Sequence, residues 1–404
     1  MKILVVTQYF WPESFRINDI CIGLREKGHD ISVLTGMPNY PYGKFFDGYS
    51  FLYPLKEEWN FIKVYRAPLF SRGKGSGLLL ALNYLTFLIF GSLRALCINE
   101  KFDVILVFQP SPITSAIPAI VIKKIRRIPI ALWVQDLWPE SVKAASNIDS
   151  SWIIRVLNEL TKWIYKHSDK ILLQSKGFKE YLKKQGINEN KVTYAPNTCE
   201  DYYSVTAPLD RHKEYFPNGF NFFFAGNLGE AQGLLTLIKA AEIVKSKTNN
   251  KVNWIFAGDG RMKEFLVREV DNRKLGDSVH FIGSFQTTEM ASMFSYADVL
   301  IVSLKKNKIF ELTIPSKLQS YMACAKPILG SIDGEGARII RDAFCGLVAS
   351  AENAEELAEA ALNMVRMSKD ELTKLGLNSL KYFSEEFSRD KVLRTIETQL
   401  RIIS

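Results

Sequence analysis

The sequence predicts an α/β protein of two doubly wound domains facing each other across a cleft. Three observations carry that expectation. Short apolar runs alternate with helical stretches in two separate series, a polar and proline-bearing break divides the series, and glycine turns follow strands of the second series.

A length of 404 residues exceeds what one hydrophobic core ordinarily supports, so two domains are the starting point. Apolar residues make up 47% and charged residues 24%, the balance of a globular enzyme and not of a disordered chain. The net charge of +9 favours anionic partners: nucleotide phosphates, acidic lipid surfaces or nucleic acid. The five cysteines are scattered and form no CxxC pair, so they read as ordinary thiols of a reducing compartment. None of the four histidines stands at metal-ligand spacing from another, and no metal is expected. Residues 1–7 read as a strand and not as a signal peptide, because Glu13, Arg16 and Asp19 arrive before an apolar core is complete.

The first series of strands is expected at 3–6, 31–34, 63–66, 103–108, 128–134, 170–173 and 191–194. Short runs of this kind, most of them separated by segments of helical length, argue for a parallel sheet covered on both faces. Residues 196–220 lack periodicity and read as a linker. The second series follows at 221–225, 254–257, 280–282, 299–302, 327–329 and 346–348. Helices are expected at 233–246 and 354–367, and an amphipathic one near the end returns to the first domain. The expected division is 1–200, 201–385 and a returning helix in 386–404.

A dinucleotide site needs G-x-G-x-x-G after the first strand, so that bare backbone can approach a pyrophosphate. Here the junction is Thr7-Gln8-Tyr9-Phe10-Trp11-Pro12-Glu13-Ser14, without glycine before Gly23, which disfavours a nicotinamide or flavin oxidoreductase. In the second series FFFAGNLGEAQGL puts Gly226, Gly229 and Gly233 between a strand and a helix. Exposed amides there suit a phosphate, and a tight turn without ligand is the other reading. IFAGDGRMKEFL repeats the arrangement with Gly258 and Gly260 beside Arg261, which favours the ligand. In LTIPSKLQSYMACAKPIL, Pro315 and Ser316 open a helix whose first turn holds Lys317. A cation in that turn opposes the helix dipole, and a bound diphosphate removes the conflict.

WVQDLWPES sets Gln135, Asp136 and Glu140 directly after an apolar strand. A carboxylate there is placed to contact a sugar hydroxyl or take a proton, the alternative being a helix cap. Glu13, Arg16 and Asn18, after the first strand, are expected to point into the same cleft. Residues 78–98, LLLALNYLTFLIFGSLRALCI, carry no charge before Arg94, with Arg72 and Lys74 preceding them. The stretch is interrupted by Asn83, Tyr84 and Thr86 and is more apolar than one helical stripe requires. We read it as a helix packed on one face and touching a membrane interface with the other, with KKIRR at 123–127 adding attraction to acidic lipid.

Taken together, FFFAGNLGEAQGL, IFAGDG, FIGSFQTTEMASMFSYADVLIV, PSKLQSYMACAKPILGS and GEGARIIRDAFCGLV, in that order, resemble glycosyltransferase family 4 of the GT-B fold. The likeness extends over essentially the whole chain, and within the family it is nearest the bacterial O-antigen and capsule L-fucosaminyltransferases. The resemblance implies a nucleotide-sugar donor, UDP-linked, in the second domain and an acceptor in the first, with no cofactor and no metal. It places Gly226, Asn227, Gly229, Gln232, Ser316, Lys317, Leu318 and Ser320 around the donor, and Gly258, Gly260 and Gly283 near its base. Asp136, Glu13 and Lys317 are then the catalytic candidates, and Arg16, Asn18, Gln135 and Glu140 the acceptor-binding ones.

Three departures follow from the same resemblance. Asn227 and Gln232 stand where the family often has Arg and Lys, which throws weight on Lys317. The E-x7-E pattern falls on Leu312 and Ser320. Gln135 replaces a histidine that contacts a sugar 6-hydroxyl, which is compatible with a 6-deoxy donor such as N-acetyl-L-fucosamine. The implied acceptor is a saccharide on undecaprenyl diphosphate, reached from the cytoplasm at the inner face of the membrane. The rival enzyme is a non-hydrolysing nucleotide-sugar 2-epimerase. A nucleic-acid partner is not expected, since no helix-turn-helix, zinc module or basic tail is present.

Overall fold

The computed structural model describes residues 1–73, 77–145 and 151–404, and Lys74 lies outside them. The chain forms two compact units, Met1–Pro196 joined by Asp390–Ser404, and Asn197–Arg389. These boundaries differ by four residues from the 200 and 385 read from the sequence.

In the first unit the strands are β1 (Lys2–Val6), β2 (Asp30–Gly36), β3 (Lys56–Trp59), β4 (Ile62–Ala67), β5 (Val104–Gln109), β6 (Ile130–Val134), β7 (Lys170–Leu173) and β8 (Val192–Tyr194). They form one sheet in the order β3-β4-β2-β1-β5-β6-β7-β8. All neighbours are parallel except β3 and β4. The central strands β1, β5 and β6 are buried almost throughout because helices cover both faces, and their alternate side chains on one face enter a single core.

The sequence reading omits β3, and its composition explains why. KEEW is charged, lies at the sheet edge, and pairs antiparallel with β4 through a two-residue turn in which Asn60 and Phe61 both have positive φ. Charge at an edge discourages further strand addition and also hides the strand from a hydrophobicity search.

The helix Gly77–Leu96 covers this sheet against β2 and β4 and packs along the helix Ile117–Arg126. By length and composition it is apolar enough to cross a membrane. Its polar interruptions are fasteners. Buried Asn83 accepts from Gln8 Nε2 at 2.7 Å and donates to the Phe70 carbonyl at 2.6 Å, while Thr86 Oγ1 accepts from the Phe70 amide at 3.1 Å. Its outer face is a row of exposed aliphatics at helical spacing: Leu78, Leu85, Ile89, Leu93 and Leu96.

The terminal helix Arg389–Ile403 belongs to the first unit. Val392, Leu393, Ile396 and Leu400 lie at core-facing spacing and enter the cluster that holds Ile3, Val5 and Leu24. Lys27 pairs with Asp390 at 3.0 Å, and His29 Nε2 meets Glu397 at 3.1 Å.

In the second unit the strands are β9 (Phe220–Ala225), β10 (Val252–Ala257), β11 (Val279–Gly283), β12 (Val299–Ser303), β13 (Ile328–Ser331) and β14 (Gly346–Ala349). All are parallel, in the order β11-β10-β9-β12-β13-β14. This is the doubly wound order in which the chain direction reverses between β9 and β12, so the loops leaving those two strands diverge and leave a crevice. In the first unit the reversal lies between β1 and β5.

Charge is divided unevenly. Residues 1–196 and 390–404 carry 29 Lys and Arg against 18 Asp and Glu, whereas 197–389 carry 23 against 25. The basic excess therefore lies entirely in the unit that holds the apolar helix.

Leu400→Ala is expected to destabilise the first unit by about 2–5 kcal/mol, the range for truncating a buried leucine. Chemical denaturation monitored by tryptophan fluorescence checks this, and a loss below about 0.5 kcal/mol would mean the terminal helix is not part of that core.

Candidate functional site

At the reversal point of the second sheet, the loop after β9 is drawn against the loop after β12. Ser303 Oγ donates to the Gln232 carbonyl at 2.6 Å, and the Lys305 amide donates to the Ala231 carbonyl at 2.9 Å. Against this seam lies the start of the helix Ser316–Ala323, with Pro315 at its N-cap and no side-chain cap. Lys317 reaches back from the first turn, where its Nζ donates to Gln232 Oε1 at 2.6 Å and lies 4.9 Å from the centroid of the Phe224 ring. No carboxylate pairs with this amine among the described residues, and burial pulls its ammonium down to about 8.

The glycine turns owe their composition to this close packing. Gly226 has φ +145°, and a Cβ there would lie 2.7 Å from Lys317 Cε. Bare backbone at 226 thus opens the lysine's path. Gly258, at φ +139°, leaves room for the Gly226 carbonyl, which a Cβ would approach to 1.9 Å. The Gly226 amide donates to the Ala257 carbonyl and the Gly258 amide to the Gly283 carbonyl, so neither is available to a ligand. Gly229 and Gly260 both pack against the Asn227 side chain.

Gly226, Asn227, Gly229, Gln232, Gly258, Gly260 and Lys317 are therefore brought together, with Gly283 attached through Gly258. Ser316 is exposed at the helix start. Leu318 and Ser320, also expected around the donor, follow Lys317 in the same helix. Leu318 is fully buried in the interior with its amide on the Pro315 carbonyl, and Ser320 is buried with its hydroxyl turned to the Ser316 carbonyl.

The first unit places its candidates in two groups at one end of the sheet, after β1 and after β6. Glu13 is buried, and its carboxylate accepts three backbone amides: Asn39 at 2.8 Å, Tyr40 at 2.7 Å and Phe10 at 3.2 Å. Burial nevertheless pushes its carboxyl up to about 7. Asn18 accepts from the Trp11 amide and donates to the Glu13 carbonyl. These two residues therefore staple the loop together, their polar groups taken up by its backbone. Arg16 opens the following helix, Arg16–Glu26.

After β6, Gln135 donates its amide to the Gln109 carbonyl, and Glu140 is paired with Lys143. Asp136 lines a pocket of about 500 Å³ beneath the helix Gly77–Leu96. Burial pushes its carboxyl up to about 6, and the Leu137 backbone and the Ser141 and Trp138 side chains beside it offset this only in part. Among the described residues no three His, Cys, Asp or Glu side chains converge as metal ligands.

Residues 14–198 match the family described as "Glycosyl transferase 4-like domain", and residues 209–379 match "Glycosyl transferases group 1". The chain belongs to glycosyltransferase family 4. Among its relatives, the "Probable glycosyltransferase WbjE" of Pseudomonas aeruginosa is 29% identical over 52% of each chain. A Methanocaldococcus jannaschii glycosyltransferase is 26% identical over 57% of this chain and 58% of its own. The chain thus spans only about half the length of these two curated relatives. Two solved structures share the fold end to end. The Escherichia coli trehalose-6-phosphate enzyme bound with UDP-2-fluoro glucose has a TM-score of 0.75 at 14% identity, covering 100% of both chains. Anabaena HepE in complex with UDP has a TM-score of 0.69 at 15% identity, covering 99% and 100%. Both units are thus those of a GT-B glycosyltransferase, and nothing among the matches supports the 2-epimerase.

Several residues of this family 4 site escape sequence reading. Phe224 looks like one more strand aromatic, yet it supplies the face beneath Lys317. Tyr321 pins the end of β9 through its hydroxyl to the Ala225 amide and carbonyl, although nothing but its place in the helix signals this.

Lys317 yields a pH test. A diphosphate bound here would pair with the ammonium, and the ligand-free amine loses its proton near 8, so affinity for a diphosphate such as UDP is expected to fall as pH rises through about 8. Stability of the free protein runs the other way. The unfolded lysine keeps its proton to about 10.5, so stability rises between about 8 and 10.5. Lys317→Gln is expected to weaken UDP binding roughly 10- to 100-fold near neutral pH, the value of a charge-assisted hydrogen bond, and to flatten the pH dependence. Titration calorimetry across this range checks both; an unchanged slope in the variant would remove Lys317 from the site.

Proposed function

We propose that the protein transfers a sugar from a nucleoside diphosphate donor to a lipid-linked saccharide in the assembly of a bacterial surface polysaccharide. The observation that carries this is Lys317: a half-buried amine, without a carboxylate partner among the described residues, at the reversal point of a doubly wound sheet. A diphosphate at that point gains the charge of Lys317 and the uncapped start of its helix. Both act most strongly on the leaving diphosphate as the glycosidic bond breaks, which makes a metal unnecessary in this proposal.

UDP is the proposed nucleotide, supported by the UDP and UDP-2-fluoro glucose named for two proteins of the same fold. A polysaccharide role is supported by WcaI of Escherichia coli, 22% identical over 80% of this chain, whose name refers to colanic acid biosynthesis. It is further supported by the fold shared with WaaG, described as involved in lipopolysaccharide biosynthesis, at a TM-score of 0.67. N-acetyl-L-fucosamine is the proposed donor sugar, on Gln135 standing where the family has histidine. The acceptor is proposed to be a saccharide on undecaprenyl diphosphate, met at the inner face of the cytoplasmic membrane. The exposed aliphatic row and the basic excess of the first unit support that placement.

The first test is incubation with UDP-linked amino sugars and a synthetic lipid-linked acceptor, read by mass spectrometry. A product heavier by one sugar is expected, with the rate unchanged in EDTA. Epimerised donor without acceptor would overturn the proposal.

Asp136 is proposed as the group that holds or deprotonates the acceptor hydroxyl. Turnover is then expected to fall as pH drops through about 6, and Asp136→Asn to lower it roughly 10²- to 10⁴-fold. A carboxyl raised in the folded state binds its proton more tightly there than in the unfolded chain, so its charged form destabilises the fold above about pH 6. The variant is therefore expected to melt no lower than the parent near pH 7.5. A lower melting temperature accompanying the lost activity would assign Asp136 to structure alone.

A further inference from the structure

The pocket that Asp136 lines is mostly apolar. Leu80 and Leu88 of the helix Gly77–Leu96 form one wall, and Val142 and Leu157 contribute to the other. Tyr84 and Trp138 meet edge to face with ring centroids 6.4 Å apart, and the Trp138 indole donates to Ser111 Oγ at 3.2 Å. Its polar side chains include Asp136, Ser111 and Thr114. At about 500 Å³ it is of small-molecule size.

Two further observations bear on its occupant. The helix that walls the pocket also presents the exposed row from Leu78 to Leu96, so one element is apolar toward the pocket and toward solvent at once. Folding alone does not ask for this, since one apolar stripe secures a helix to a sheet. The basic excess is confined to the same unit, while the unit expected to hold the nucleotide has slightly more acids than bases. The field of the first unit therefore suits an anionic ligand that is not the nucleotide, and its pocket suits hydrocarbon.

We infer that the pocket beneath the helix Gly77–Leu96 binds the hydrocarbon chain of the anionic lipid that carries the acceptor sugar. Chain in the pocket and a hydroxyl at Asp136 belong to one molecule, so this site selects acceptors by their lipid as well as by their sugar. The inference rests on the acceptor role proposed above. Bulk phospholipid is the competing source of hydrocarbon, and it is expected to meet the outward row instead.

The test uses the full chain in detergent-free buffer with inorganic diphosphate, geranyl diphosphate and farnesyl diphosphate. Affinity is expected to rise at least tenfold from inorganic to farnesyl diphosphate, because each buried methylene adds to binding. Ala81→Trp and Leu88→Trp, which fill the pocket, are expected to cut that gain below twofold while leaving UDP binding and the thermal unfolding of the chain unchanged, the latter showing that the first unit folds in both variants. Leu85→Glu also touches the pocket rim, so Leu93→Glu serves for the outer row: it is expected to reduce binding to phosphatidylglycerol vesicles and leave farnesyl diphosphate binding unchanged.

Affinity independent of chain length, or a chain-length gain that both pocket variants retain, would overturn the inference. So would a doubling of mass in solution that Ala81→Trp abolishes, which would mean that a second copy fills the pocket. If farnesyl binding fails while UDP binding persists, only the pocket assignment falls. If UDP binding fails as well, the transferase reading falls with it.

Discussion

A half-buried amine without a carboxylate partner among the described residues is the constraint around which the second unit's switch point is arranged. Lys317 has a neutral amide and an aromatic face for company, and neither neutralises it. Burial alone lowers its proton affinity, so the folded chain stores a preference for an anion. The surrounding backbone accommodates that side chain: Gly226 clears its path, and Gly258 clears the carbonyl of Gly226 in turn. Ser303 fixes the Gln232 backbone from the neighbouring strand, so the amide that receives the lysine is itself held. Under the proposed function, a site assembled in this way would meet a diphosphate with its cation already in position, the arrangement in which electrostatic stabilisation acts without reorganisation.

The first unit handles its buried polar groups differently. Gln8, Asn83, Asn39 and Glu13 form a connected set that ties the end of β1, the apolar helix and the loop after β2 into one piece. Such a network specifies geometry because each member depends on its partners. Its consequence is that an unusually apolar helix is fastened by two or three polar residues, leaving its remaining faces for other uses. Asp136 stands outside that network, and its carboxyl keeps an elevated proton affinity. Of the two raised carboxyls among the first unit's described residues, Glu13 is occupied by loop amides, and Asp136 is the one that lines a pocket.

Much of the fold was legible because the strands are buried on both faces. Runs such as VILVF and NFFFA have no other comfortable environment, and the doubly wound order follows from their alternation with helices. The edge strand KEEW was illegible for the opposite reason, since its stability comes from backbone pairing and a turn with little signal in its residue types. At the site, the cation in the first turn of a helix was a readable conflict, and it led to Lys317. The glycines were readable as special positions but not as to cause: the sequence suggests room for phosphate, whereas Gly226 and Gly258 make room for a side chain and a carbonyl. Leu318 and Ser320 have buried side chains in the helix that carries Lys317, a placement that the resemblance naming them does not specify. Phe224 lay beyond sequence reasoning altogether, because its role depends on a residue 93 positions later.

The claim that Lys317 awaits an anion is tested most directly by counting protons taken up when UDP binds. Calorimetry near pH 9 in buffers of different ionisation enthalpy gives that number. The account predicts uptake of close to one proton, because the free amine is largely neutral there and the bound one is charged. It predicts that this uptake disappears as the pH is lowered to about 7, where the free amine already carries its proton. Binding of UDP near pH 9 with no proton uptake would contradict it.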